Sequence, residues 1–383
     1  MRLLFSTDDL EIGGRRIPGF PLLIDDECYP LQPAQDFLFH FLLERGTANS
    51  PLTWEATGRR LYDYFAFLNA NELHWADSQR QVGTSVLSRY RDWSAGELKL
   101  SPSTINKRLS LVVKFYEWAS EMGQIERLPF SYRSVRVSRK VGMLAHTKRG
   151  HQLATRASVL LREFRAPIRI LTIEQIQVCR EFLINPSHRL LFELMLRSGL
   201  RSCEARTYPA NYVFDPASRN DLMRGQMIRV DLNPNELSIK YSKPRTIDVP
   251  WTLMEEMQAY KSLERETRRR RRDNHPTTLI LSADGAPLAR TSLVGIFREL
   301  SRTAGFPVTA HMLRHTYATF TLAALRKRKD FLGEPLLYVR DRMGHADVQT
   351  TAEYLHLINH LEAQLTLSHE DFVDGLFSRQ ALS

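Results

Sequence analysis

The 383-residue sequence has few cysteines, no long apolar run and no glycine-rich phosphate loop. Its three cysteines, Cys28, Cys179 and Cys203, lack metal-type spacing and leave an odd thiol, so a reducing cytosol is the simplest compartment. No apolar stretch approaches the roughly 20 residues of a membrane span, and the first ten residues do not resemble a signal peptide. Neither GxGxxG nor GxxxxGKS/T occurs, so nucleotide-driven chemistry has no support.

Acidic residues are also scarce in one segment of an otherwise ordinary composition. The chain carries 53 Lys and Arg against 43 Asp and Glu, a net charge of +10, and its length favours two domains or three. Residues 131–170 hold only one acidic residue, Glu163, and show no helix or strand periodicity before about Ser158. This predicts a basic linker at 131–168, which is either merely solvated or laid along a phosphate backbone. Its candidate DNA-binding residues are Arg133, Arg136, Arg139, Lys140, Lys148 and Arg149.

Helical periodicity dominates residues 33–130 and predicts a small four-helix bundle. The helices are expected around 33–45, after Ser50-Pro51, around 84–95 and after Ser101-Pro102. The face of the last helix away from its apolar stripe is either solvated or contacts DNA, through Asn106, Lys107 and Arg108. Residues 1–32 are expected to be an extension packed on the bundle, with no assigned chemistry.

Residues 169–383 show a mixed pattern that predicts an α+β domain with a small antiparallel sheet, in a mainly α protein. Alternating segments fall at Met227–Asp231, Leu237–Tyr241 and Thr246–Val249, the last two joined by a tight turn at Ser242–Arg245. Helices are expected at 173–183, 186–198, 252–270, 291–304, 311–328, 334–342 and 348–363.

Three polar clusters stand out in this second half: Ser198–Glu204, His311–His315, and Gly344-His345 followed nine residues later by Tyr354. Histidines four residues apart on a helix can ligate zinc. Here, however, Met312 stands where such metalloproteases place a glutamate, and Arg314 would repel a dication, so no metal site is predicted. Taken singly, each cluster is ordinary.

Taken in order, these clusters resemble the tyrosine recombinase (phage integrase) family. The resemblance is carried by STINKRLSLVVKFYEWA at Ser103–Ala119, LMLRSGLRSCE at Leu194–Glu204, KYSKPRTIDVP at Lys240–Pro250, the His311-x-x-Arg314-His315 pair and RMGHADVQTTAEYLH. It covers nearly the whole chain after residue 35. Two departures are small: the turn after Lys243 is short, and Ala205 stands where the family often has leucine.

The resemblance implies an enzyme that cuts and rejoins DNA through a covalent 3′-phosphotyrosyl intermediate, with no metal or nucleotide cofactor. Tyr354 is then the nucleophile, and two guanidiniums bind the non-bridging oxygens. His311 exchanges a proton with the tyrosine, and Lys243 is the general acid, with Lys240 as its rival. Glu204 is expected to be a structural partner, and His315 to pack inside. The implied catalytic set is Arg201, Lys243, His311, Arg314, His345 and Tyr354.

The family likeness also implies that two domains, the bundle and residues 169–383, close around double-stranded DNA. It implies a homotetramer assembled through the C-terminal tail, and action at the nucleoid in a bacterial cytoplasm without membrane contact. Two alternatives stay open. A type IB topoisomerase or telomere resolvase would use the same chemistry, and a DNA-binding relative would keep the fold without catalysis.

Overall fold

The computed structural model describes two compact units, Met1–Arg165 and Ala166–Ser383, each with its own apolar core. The described residues are 1–45, 50–77, 84–138, 151–164, 167–224, 226–239, 242–273, 275–345, 351–352, 354–355 and 357–358. Within them the chain is mainly helical, with small antiparallel sheets, which confirms the predicted fold class. None of the described helices is long and apolar enough to cross a membrane.

Four helices form the core of the first unit, within one or two residues of their expected positions. They are α1 (Ala34–Phe39), α2 (Pro51–Ala70), α3 (Val86–Gly96) and α4 (Pro102–Glu121). A π-helical turn at His40–Glu44 extends α1. The start of α4 could be predicted from the local sequence because Ser101 caps the helix and a proline occupies its first turn. The Ser101 hydroxyl accepts a hydrogen bond from the Thr104 amide.

Residues before α1 pack on the bundle through two short antiparallel pairs. Strand β1 (Arg2–Phe5) pairs with β4 (Pro21–Ile24), and β2 (Glu11–Ile12) pairs with β3 (Arg15–Arg16). Phe20 and other apolar side chains of this extension are buried in the same core as the helices. The approach is closest at Gly58 of α2, where an added Cβ would lie 2.4 Å from the Cβ of Pro21.

The basic segment differs from the expected linker, because its described part is a β-hairpin of the first unit. Strand β5 (Tyr132–Ser138) pairs antiparallel with β6 (His151–Ala157), from Tyr132↔Ala157 to Ser138↔His151. Ala157 and Val159 are buried in the core of the bundle. Periodicity did not reveal these strands because a two-stranded hairpin with cations on it lacks the apolar alternation of a half-buried sheet.

Among the described residues up to 345, eight α-helices make most of the second unit, close to the expected ranges. They are α5 (Ile173–Phe182), α6 (Pro186–Ser198), α7 (Ser202–Arg206), α8 (Trp251–Tyr260), α9 (Glu266–Arg269), α10 (Arg290–Ala304), α11 (Ala310–Lys327) and α12 (Pro335–Met343). A π-helical turn, Lys261–Arg265, joins α8 to α9, and the described residues from 351 to 358 are helical. Helix α6 packs against both α8 and α11, which places the end of α6 beside α11.

The sheet of the second unit pairs differently from the expected hairpin. Strand β7 (Met227–Leu232) pairs directly with β8 (Arg245–Pro250). Of the expected strand Leu237–Tyr241, residues 237–239 are not in a strand, and residues 240 and 241 lie outside the described part of the chain. Leu237 and Ile239 are nevertheless buried, from an irregular stretch. Their alternation reflected burial, and burial alone does not select a strand partner.

Replacing Gly58 by alanine should destabilise the first unit by about 1–3 kcal/mol, because the new methyl group would overlap a proline ring that cannot rotate away. Gly96→Ala is the matched control, since nothing lies within 4 Å of its added Cβ and alanine favours a helix. Urea unfolding followed by the fluorescence of the four tryptophans before residue 131 measures both. Equal stabilities of the two variants would contradict the close packing of the extension on α2.

Candidate active site

Arg201 is positioned by a tight turn between two helices. Helix α6 ends at Gly199, whose φ of +66° is left-handed, and an added Cβ there would lie 2.3 Å from the Tyr317 ring. Only glycine fits both conditions without strain. The turn makes Arg201 the N-cap residue of α7, with its side chain 24% exposed. Its Nη2 donates to the carbonyl oxygen of Gly344 at 3.1 Å.

A buried carboxylate, Glu204, holds Arg201 and a second arginine. Arg245 donates to both carboxylate oxygens, at 2.7 and 2.6 Å, and Arg201 donates its backbone N–H at 2.7 Å and Nη1 at 3.1 Å. Burial alone would raise the pKa of Glu204, but the hydrogen bonds and charge of Arg245, helped by Arg201, lower it to about 2. Glu204 is thus a structural partner, one helical turn from Arg201.

Arg314 is the most buried of the arginines in this site, at 3% exposure. Its Nη1 donates to the carbonyl oxygen of Gly199 and its Nη2 to that of Met343. Burial, and then the charge of Arg201, lower the pKa of Arg314 to about 9, so the guanidinium is still charged at neutral pH. Both arginines are therefore aimed by carbonyl oxygens of the turns at residues 199 and 343–344.

Histidines surround the hydroxyl of Tyr354, itself only 1% exposed. His315 Nδ1 lies 2.8 Å from the phenolic oxygen, and the rings of His311 and His315 are 4.0 Å apart. His345 stacks on the Tyr354 ring at 6.3 Å, and its Nδ1 lies 2.9 Å from Thr351 Oγ1. The structure thus brings the predicted tyrosine and histidines together, and it adds His315.

Burial and neighbouring cations keep these imidazoles neutral. The pKa of His315 falls to about 4, through burial and then His311 and Arg314. Burial, followed by Arg314 and Arg201, lowers that of His345 to about 3, and the pKa of His311 is lowered by the same causes. Each neutral ring therefore has one nitrogen whose lone pair can accept a hydrogen bond near pH 7.

Of the two lysine candidates, Lys243 lies two residues before β8. Lys243 is exposed, directly after Ser242, whose φ is +48°. Two residues further, Arg245 is anchored on Glu204 and on the Arg342 carbonyl oxygen, at 3.1 Å from its Nε. Lys240 lies outside the described residues. Among the described residues no group of three or more His, Cys, Asp or Glu side chains could hold a metal ion.

The candidate DNA-binding residues of the first unit differ in how exposed their side chains are. Asn106 is buried and bonds both the amide and the carbonyl of Leu161, and Arg108 is half-buried and pairs with Asp63. The segment after β6 covers α4 at Asn106, whereas Arg108 is held by Asp63 of α2. Lys107 and Arg133 are exposed. Arg139, Lys140, Lys148, Arg149 and the side chain of Arg136 lie outside the described part of the chain.

Comparison with known proteins identifies the family. Residues 171–360 match the model of the phage integrase family, and residues 34–123 match the phage integrase N-terminal SAM-like domain. Transposase A from transposon Tn554 of Staphylococcus aureus is 25% identical over 358 residues, covering 91% of this chain and 93% of the transposase. The chain belongs to the tyrosine recombinase (phage integrase) family.

Other tyrosine recombinases align over most of this recombinase. XerD of Lacticaseibacillus casei is 22% identical over 337 residues, covering 87% of this chain and 97% of XerD. Among solved structures, the Tn1549 transposon integrase in complex with transposon right-end DNA has a TM-score of 0.54 at 17% identity, covering 85% and 96% of the two chains. XerH bound to difH in a post-cleavage complex has a TM-score of 0.52 at 18% identity, covering 88% and 89%.

Family membership confirms the expected activity class: this protein is a DNA strand-transferring enzyme, a site-specific recombinase. The topoisomerase, resolvase and silent-relative alternatives are not favoured. Sequence reasoning missed the anchoring role of Arg245 and the bond between His315 and Tyr354. The spacing of His315, one turn after His311 on the same helix face, was the available signal for the second.

Glu204→Gln should lower the free energy of unfolding of the second unit at neutral pH, and this difference should shrink as the pH falls. A carboxyl whose folded pKa is depressed stabilises above its ordinary pKa, here 4.5, and loses that contribution as the pH falls toward about 2. The difference is on the order of 3 kcal/mol. Urea unfolding of native and variant chains, followed at Trp251, should therefore converge between pH 4.5 and about 2.

Glu256→Gln is the control, because this carboxylate also meets an arginine, Arg197 at 2.9 Å, but is 47% exposed. Its stability curve should run parallel to that of the native chain, since exposed ion pairs contribute little. A constant gap between native and Glu204→Gln over the whole acid range would contradict the depressed pKa.

Proposed function

We propose that this recombinase cuts and rejoins double-stranded DNA of a mobile element, using Tyr354 as the nucleophile. The observation that carries the proposal is the convergence of two guanidiniums, three imidazoles and one buried phenol in a single site of the second unit. A relationship to Transposase A from Tn554 over most of the chain supports the mobile-element role.

In this mechanism Arg201 and Arg314 bind the non-bridging oxygens of the scissile phosphate. Each guanidinium has five N–H donors, and bonds to carbonyl oxygens use only part of them. Donors held in place before the reaction need no reorganisation as charge develops, and each is worth roughly 3–4 kcal/mol in the transition state. His345, whose ring is stacked with that of Tyr354, donates a further hydrogen bond to the phosphate.

The phenolic oxygen attacks phosphorus, a phosphotyrosyl bond forms, and the bond to the 5′ oxygen breaks. The phenol proton must leave, and His315 is the acceptor that its geometry supports, at 2.8 Å from the oxygen. His311, the residue that the family pattern suggested, packs on His315 and is the rival. Lys243 supplies the proton to the departing 5′ oxygen, with Lys240 as alternative.

The remaining assignments concern how the protein meets its substrate. We assign DNA contact to residues 33–130 and to the basic segment 131–168, and catalysis to residues 169–383. Lys107 and Arg133 are the exposed contributors in the described part. Assembly as a homotetramer through the tail after Tyr354, and action at a bacterial nucleoid in the cytoplasm, complete the proposal. The tail beyond residue 358 lies outside the described residues.

A nicked duplex tests the nucleophile, because the short end released by cleavage diffuses away and traps the covalent protein–DNA adduct. The duplex should carry the ends of the DNA element that encodes this chain. The native chain should form an adduct that survives denaturing gel electrophoresis, and Tyr354→Phe should form none. An undiminished adduct with Tyr354→Phe, or no adduct with the native chain on these ends, would sink the proposal.

The arginine variants separate binding from chemistry on the same duplex. Arg201→Ala and Arg314→Ala should bind nearly as tightly yet cleave at least ~100-fold more slowly, since each removes transition-state donors. Arg197→Ala, on an arginine of α6 that pairs with Glu256, is the matched control and should cleave at the native rate. Weak binding with normal cleavage of the bound fraction would argue against the phosphate role.

His315→Ala should slow adduct formation by about 100-fold, the usual contribution of a positioned proton acceptor. Its rate should rise steadily from pH 7 toward the ordinary tyrosine pKa of about 10, where the phenol ionises unaided. The native rate should be flatter over that range. If His311→Ala shows the steep pH profile instead, His311 is the acceptor and the assignment of His315 is wrong.

A further inference from the structure

The hairpin β5–β6 is a two-stranded ribbon anchored only at its base. Seven residues pair on each strand, a length of roughly 23 Å, and no third strand lies beside them in the described part of the chain. An isolated two-stranded hairpin is at best marginally stable in water. The base is held by burial of Ala157 and by the Phe130 ring, whose centroid is 5.5 Å from that of Tyr132.

The sequence of the ribbon and of its tip is strongly basic. Seven Lys and Arg fall between residues 132 and 157, and no acidic residue occurs between Glu126 and Glu163. The register sets Arg133 directly opposite Arg156, an arrangement of like charges that weakens a strand pair. Arg156 donates to the Leu161 carbonyl at 2.6 Å, whereas Arg133 is exposed and has no ion-pair partner among the described residues.

A polar groove of 310 Å³ opens at the base of the ribbon. It lies between the first turns of α3 and the start of β5, and it combines two arginines with a row of hydroxyl groups. Arg91 reaches it while bonded to Asp92 at 2.8 Å, so one carboxylate lies close by. The polar side chains that line the groove are Thr84, Ser85, Ser88, Arg91, Ser131, Arg133 and Ser158.

We propose that the hairpin β5–β6 is a DNA-binding ribbon that lies in the major groove, while a backbone phosphate sits between Arg91 and Arg133 at its base. This rests on the proposed function, which supplies DNA as the partner. The major groove, about 12 Å wide, admits a two-stranded ribbon as it stands, whereas the minor groove, about 6 Å wide, would have to be deformed to take one. The phosphate contact fixes the register of the ribbon on the duplex.

The groove at the base is tested by salt dependence on a random-sequence duplex of about 40 base pairs, because phosphate contacts do not depend on sequence. In Arg91→Gln/Arg133→Gln the slope of log affinity against log salt should fall by about 0.9 for each lost contact. Arg270→Gln/Arg302→Gln removes two equally charged arginines, 76% and 73% exposed, far along the sequence from the hairpin, and should keep the native slope. Equal slopes in the two double variants would overturn the phosphate site.

The placement in the major groove is tested with a shortened hairpin. Replacing residues 136–153 by Asn-Gly keeps four strand pairs at the base and closes them with a turn that suits two-residue hairpins. Native and shortened chains are compared on ordinary DNA and on DNA whose cytosines carry glucosylated hydroxymethyl groups, which crowd the major groove. The native chain should lose about 10-fold or more in affinity, and the shortened chain clearly less.

Equal losses in both chains would overturn the placement, and so would stronger competition by the minor-groove ligand distamycin for the native chain than for the shortened one. The unshortened Arg91→Gln/Arg133→Gln variant remains informative if the shortened chain fails to fold. The nicked-duplex adduct is measured in parallel. If the adduct forms but the salt and groove experiments give the contradicting results, only the proposal for the hairpin is rejected. If no adduct forms, the proposed function itself is rejected.

Discussion

Three arginines meet the C-terminal end of α12, and the active site depends on how their charges are tolerated there. The carbonyl oxygens of residues 342, 343 and 344 accept hydrogen bonds from Arg245, Arg314 and Arg201 in turn. The last carbonyls of a helix lack intrahelical donors and form the negative end of its dipole. These carbonyl oxygens and the buried carboxylate of Glu204 offset the repulsion between the three guanidinium groups. The positive field stays concentrated where a phosphate can reach it.

The same field determines what the imidazoles can do. Burial and the adjacent arginines lower the pKa of His315 to about 4 and that of His345 to about 3, because a further positive charge is unfavourable there. Both rings are therefore neutral near pH 7, and each has one nitrogen that can accept a hydrogen bond. A site built to hold an anion thus keeps its imidazoles unprotonated while it is empty, and an anionic phosphate bound there would offset the arginine charges that oppose their protonation.

Local features of the sequence predicted helices well and strand partners poorly. The bounds of α2 and α4 follow from apolar spacing and Ser-Pro starts, which act within a few residues. The pairing of β8 with β7 depends on which distant strand offers a matching register, and that choice leaves no local signal. The same holds in the site. The family pattern indicated Arg201, Arg314 and Tyr354, but nothing near Arg245 in the sequence reveals that it faces Glu204.

The number of cations is a poor guide to those that can meet DNA. Arg265 and Arg268 donate to the carbonyl oxygens of Thr278 and Leu281, so part of this arginine-rich stretch holds a loop in place. Arg108 is likewise occupied by Asp63. A guanidinium nevertheless has five donors, so a carbonyl that takes one or two of them can aim the group without exhausting it. Arginines whose donors are only partly used by the protein can therefore still bind a phosphate. Arg201, with a side chain that is 24% exposed, is of this kind, because its bonds to the protein hold the guanidinium in place and leave other donors available.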